Sequence, residues 1–169
     1  MARLEFYGAI FIVVLGSLLH FTYEATSQAW WVGIFSAMSE SVWEHLKLAF
    51  WPSAIWTLLL RLIPIRRPKH FWSGRAASLA LMPLAIALGF YGYTALLGSH
   101  SLILDLALFV ASIACGQAVA VGVYTAPNLG RGSESAALVL VLIMLAAFSA
   151  LSFIEIDVPL FQPPSEHTR

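Results

Sequence analysis

The chain has 169 residues, 60% of them hydrophobic and 11% charged, with a mean hydropathy of +0.83 and a formal net charge of zero. Soluble domains average about 45–50% apolar and about 25% charged residues, so this composition excludes a soluble globular protein. It also excludes disorder, which needs low hydrophobicity and high charge.

A membrane-crossing helix takes roughly 20 apolar residues, and five stretches qualify: 4–23, 41–63, 76–97, 102–124 and 136–154. Their apolar runs are continuous rather than alternating, which favours helices over strands. The first has Arg3 before its apolar core, as a signal peptide would, but His20–Glu24 lacks a small-residue cleavage site and four more spans follow. It is read as retained. The expected fold is all-α, a polytopic membrane helix bundle of about five transmembrane helices. Residues 1–158 form its single domain and 159–169 a C-terminal tail outside the membrane.

Between the first two spans, residues 28–38 are apolar and fit a short interfacial or re-entrant helix that roofs whatever polar groups lie beneath. Trp30, Trp31, Trp43, Trp51, Trp56 and Trp72 fit interfacial belts around the second span. Ser41 with Glu44 reads as a capping box that opens the second helix. Pro52 and Pro83 are expected to kink their helices. In the fourth span Ser112, Gly116 and Ala120 form a small-residue row suited to close helix packing, and Gln117 is expected to bond a neighbouring helix.

The linkers assign sides. Residues 61–75 hold Arg61, Arg66, Arg67, Lys69 and Arg75, and basic loops stay cytoplasmic. Both Arg3 and Arg131 agree, placing the N-terminus cytoplasmic and the C-terminus extracytoplasmic in a multi-pass protein of the plasma membrane. Seven of the nine acidic residues (Glu24, Glu40, Glu44, Asp105, Glu155, Asp157 and Glu166) then fall on the extracytoplasmic side. The positive-inside rule does not require this, because Asp and Glu contribute little to it.

His20 and Glu24 share a helix face at i, i+4 spacing, Glu40 and Glu44 repeat it, and His45 follows. Charged groups inside a bilayer cost about 2.5–3.5 kcal/mol each at the centre, so these carboxylates need protons, cation partners such as Lys47, water or a metal. Two imidazoles with several carboxylates and no nearby thiolate suit Zn²⁺, Mn²⁺ or Fe²⁺. The expected ligands of this divalent metal ion are His20, Glu24, Glu44 and His45, with Glu40 or Asp105 as general base. Helix N-terminal placement is the alternative account of these acids, strongest for Asp105 and weakest for Glu44. His70 is expected at the interface, and His100 and His167 in water.

The segment Ser39-Glu-Ser-Val-Trp-Glu-His-Leu-Lys-Leu48, with Phe50-Trp-Pro52, resembles a family of small uncharacterised prokaryotic membrane proteins that share an (Asn/Ser)-Glu-Ser-Val-Trp-Glu-His-Leu-Lys core. The end of the first span, His20 to Glu24, and Pro159-Leu-Phe161 match it too, with Ser39 where Asn is frequent. The resemblance implies a shared membrane fold and no particular reaction.

A metal-dependent hydrolase-like enzyme acting on a lipid or another membrane-resident substrate is the favoured reading. A divalent-cation or proton-coupled transporter and a structural accessory protein are the alternatives. The inner half of the spans offers a transporter only a thin relay of Ser78, Thr94, Ser112 and Gln117. The expected partners are membrane lipids, with homo-oligomerisation open. Nucleic acid is not expected, since the basic loop is short and explained by topology.

Overall fold

A computed structural model describes residues 1–130, 132–154 and 156–162. Arg131, Glu155, Glu166 and His167, which the sequence places by side, lie outside the described residues. The described residues form five helices and no strand: α1 (Ala2–Ala25), α2 (Val42–Leu62), α3 (Phe71–Leu97), α4 (Leu102–Tyr124) and α5 (Ser133–Ala150). Short 3-10 turns follow at Val32–Ile34, Leu151–Phe153 and Pro159–Phe161.

Four helices, α1, α3, α4 and α5 with its following turn, are long and apolar enough to cross a membrane. The fifth, α2, is 21 residues long, about 31 Å at 1.5 Å per residue, but carries Glu44, Lys47 and Arg61. It is also the most enclosed helix, buried along most of its length. Helices α1, α2, α3 and α4 form a closed ring, each packed on the next and α4 returning to α1, while α5 packs outside on α3.

The local chemistry explains the boundaries. Ser41 caps α2, its hydroxyl accepting from the Glu44 N–H at 3.3 Å. The reciprocal half of the capping box is not made, because the Glu44 carboxylate turns instead to Met38 and Lys47. Helix α3 begins at Phe71, five residues before the expected span, because Arg75 is inside the bundle rather than in the linker. Its first turn is capped from α5, where Glu134 accepts from the N–H groups of Trp72 and Ser73 at 2.8 and 3.1 Å. It ends at Gly98, whose left-handed φ of 74° suits a residue without Cβ.

Ser112, Gly116 and Ala120 are all buried, with Gly116 against Met82 of α3. The expected aromatic belt holds only in part. Trp30 and Trp31 are exposed, whereas Trp43 and Trp51 are core residues. Phe50, Phe148, Trp43 and Phe161 stack in one column, with successive ring centroids 4.0, 4.7 and 4.8 Å apart. That column draws α2, α5 and the turn at Pro159–Phe161 together. Trp43 is needed inside it and is unavailable to a headgroup region.

Candidate functional site

Two helix backbones meet closely near one end of the bundle. Pro52 has no N–H, so the Leu48 carbonyl lacks its usual helical donor. That carbonyl faces Gly16 of α1, where any Cβ would collide with it. One turn nearer the helix ends, the same close approach brings His20 of α1 beside His45 of α2. Their ring centroids are 5.3 Å apart.

Glu40 completes the group. Its Oε2 lies 3.4 Å from His45 Nε2, and His20, Glu40 and His45 each offer a ligand atom within 4.8 Å of the others. His45 Nδ1 is 2.9 Å from the Ser41 carbonyl. A carbonyl only accepts, so Nδ1 carries a proton and Nε2 is the ring atom that faces Glu40. Metal-bound histidines are held in this way by a backbone or carboxylate acceptor on the other nitrogen. His20 Nδ1 is buried with no hydrogen-bond partner among the described residues. An ion about 2.1 Å from each ligand needs ligand atoms ~3.4 Å apart, so only small side-chain movements are required. Glu40 is 74% exposed and His45 36%, which leaves one side of the group open to solvent.

The other expected ligands lie outside this group. Glu44 is buried and accepts from Lys47 Nζ and from the Met38 N–H, both at 2.6 Å. Lys47 also donates to the Gly33 carbonyl at 2.6 Å. This ion pair therefore ties segment 33–38 down over α2, and Lys47 does not reach outward. Ser36 ties the same segment to α1 through Thr22, the Tyr23 N–H and the Leu19 carbonyl. Glu24 is exposed and outside the group. Asp105 is held at the α3–α4 turn by the Tyr93 hydroxyl, with His100 Nδ1 at 3.5 Å.

The opposite end of the bundle holds a polar centre that the sequence reading missed. Arg75 is 0% exposed and Glu5 1%. Arg75 donates from Nη1 to Glu5 at 3.0 Å and to Gln117 at 2.9 Å. From Nη2 it donates to the Ser53 hydroxyl at 2.9 Å and its carbonyl at 3.4 Å, and from Nε to Thr57 at 2.9 Å. A guanidinium has five N–H donors, and all five are used. Glu5 also accepts from Tyr124 at 2.8 Å and Trp56 at 3.2 Å, and Ser78 donates to Gln117 at 3.2 Å. This end of the bundle is thus richly polar, where the sequence suggested only a thin relay. The available signal was Glu5 inside the first apolar run. His70, expected at the interface, is 3% exposed.

The fold and site together define an all-α, membrane-type helical bundle with a His/Glu group at one end and a saturated ion pair at the other. The chain belongs to the family of unknown function DUF6512, which matches residues 3–166. No curated protein and no solved structure matches it.

Proposed function

We propose that the chain is a divalent-metal protein of the plasma membrane, with His20, Glu40 and His45 as ligands and a fourth position open to water or substrate. The carrying observation is the convergence of these three ligand atoms, with His45 oriented by Ser41. Two histidines, one carboxylate and an open position form the donor set of catalytic rather than structural zinc. A Zn²⁺, Mn²⁺ or Fe²⁺ ion there would polarise a carbonyl or phosphoryl oxygen and acidify bound water. The basic linker before α3 supports an extracytoplasmic position for this end, which makes a lipid or another membrane-resident molecule the favoured substrate.

The Glu5–Arg75 centre supports this reading over cation transport, because Arg75 neutralises the Glu5 carboxylate and both of its oxygens already accept from Arg75, Trp56 and Tyr124. Elemental analysis of the purified wild type is expected to show stoichiometric metal, lost in His20→Ala, Glu40→Gln and His45→Ala. A metal-free wild type after reconstitution with each ion would overturn the reading. Divalent-cation flux in liposomes, abolished by the same substitutions, would replace catalysis with transport.

A further inference from the structure

We propose that the end of the bundle opposite the His20 group seats an anionic phospholipid, with its head group on the linker between α2 and α3 and its chains along the last turn of α2. Arg61, Arg66, Arg67 and Lys69 are all exposed there. None of them pairs with a carboxylate among the described residues.

The lack of counter-charge extends beyond the linker. No acidic residue occurs between Glu44 and Asp105. The described acids at this end are Glu5 and Glu134, and both are spent. Glu5 accepts from Arg75, Trp56 and Tyr124, and Glu134 from the first N–H groups of α3 and the Ser73 hydroxyl. The positive-inside rule accounts for the sign of the linker but supplies no anion. Arg67 also folds back on α2, where its Nη2 donates to the Arg61 carbonyl at 2.6 Å, so a guanidinium is held at the backbone of another basic residue. Lys69 is tied across to Asn128 at 3.3 Å, and Pro64 and Pro68 fix φ on either side of Arg66 and Arg67. Like charges held close repel one another, and an anion among them relieves that repulsion.

The neighbouring helix turn commits the partner to lipid. Leu58, Leu59, Leu62 and Ile63 are exposed, Leu62 at 70%, and all lie within three residues of Arg61. A soluble anion, a nucleic acid or an acidic protein would meet the arginines and leave these side chains uncovered. A phospholipid meets both, since its phosphate suits the guanidinium fork and its chains cover the leucines. A head group with net negative charge is favoured over choline, which brings a cation of its own.

The test uses the full chain in nanodiscs of equal phosphatidylglycerol and phosphatidylcholine with identical acyl chains. Retained lipid is read by native mass spectrometry, and glycerol 3-phosphate is titrated calorimetrically in parallel. Preferential retention of phosphatidylglycerol is the expected result. The Arg61 and Arg66 side chains make no hydrogen bond to a described residue, so Arg61→Gln/Arg66→Gln disturbs no described contact. It is expected to weaken retention by about fivefold for each cation lost, and Arg61→Lys/Arg66→Lys should keep most of it. Arg3→Gln removes an exposed cation from the same end but outside the linker, and should cost less than Arg61→Gln. Equal losses in those two would mean a diffuse surface field instead of a seated lipid, and would overturn the proposal. Equal retention of both lipids by the wild type overturns it too, as does glycerol 3-phosphate binding without lipid preference, which would make the partner a soluble anion.

Discussion

Arg75 shows how one buried residue can hold a bundle together. Its guanidinium touches α1, α2 and α4 from α3, and every donor is matched. Removing one partner of a buried ion pair typically costs ~3–5 kcal/mol because the other charge is left uncompensated. Arg75→Met is therefore expected to lose about that much in detergent unfolding experiments. Arg75→Lys should recover only part, since an ammonium has three donors in place of a five-donor fork. The double variant Glu5→Gln/Arg75→Met should be more stable than Arg75→Met alone. Equal stability of the two would show that the orphaned carboxylate is not the source of the loss. In the sequence Arg75 is indistinguishable from the other basic residues of the 61–75 linker, because composition does not show which way a side chain turns. The histidines were more legible, since His20 and His45 lie near the ends of two apolar runs joined by a short connection. The choice of Glu40 over Glu44 was not, because it depends on Lys47 lying one turn along the same face and capturing the nearer acid.

The meeting of α1 with α2 rests on a pair of residues that each lack something. Pro52 lacks the donor for the Leu48 carbonyl, and Gly16 lacks the Cβ that would keep that carbonyl away. Gly16→Ala forces the helices apart, and overpacking of this kind costs about 1–3 kcal/mol. The same displacement separates His20 from His45, so the variant is expected to retain less metal than wild type even where it remains folded. Metal content and thermal melting, measured on one preparation, would distinguish the two effects. The position of each helix was readable from apolar run length, and α4 matches its expected limits of 102 and 124. At the start of α3 a tertiary partner intervenes: Glu134 of α5 caps it and extends it backwards, while α5 itself yields to a 3-10 turn at Leu151–Phe153. Glu134 is far from α3 in sequence, so it could not enter a local reading.

Among the described residues, the buried charged groups lie at two levels. Glu5 and His20 are fifteen residues apart on α1, about 22 Å at 1.5 Å per residue. The aromatic column fastens the last described turn to the level of His20, since Phe161 stacks on Trp43. Phe161→Ala should lower stability by about 1–3 kcal/mol, less than the ~3–5 kcal/mol of a fully enclosed aromatic, because Phe161 is only half-buried. A bound ion at the other residues of that level should raise the melting point. The stabilisation is ~2.7 kcal/mol at a hundredfold excess over Kd, and it should vanish in His45→Ala. The pairing of Phe161 with Trp43 also joins two of the three segments that carry the family resemblance. The Glu5–Arg75 contact has a consequence for synthesis as well. A ribosome releases α1 long before residue 75, so the first helix enters the lipid with its acid still awaiting a cation. Its final seat is fixed only when the third and fourth helices arrive, which makes the ring of four, rather than each hairpin in turn, the unit that matures.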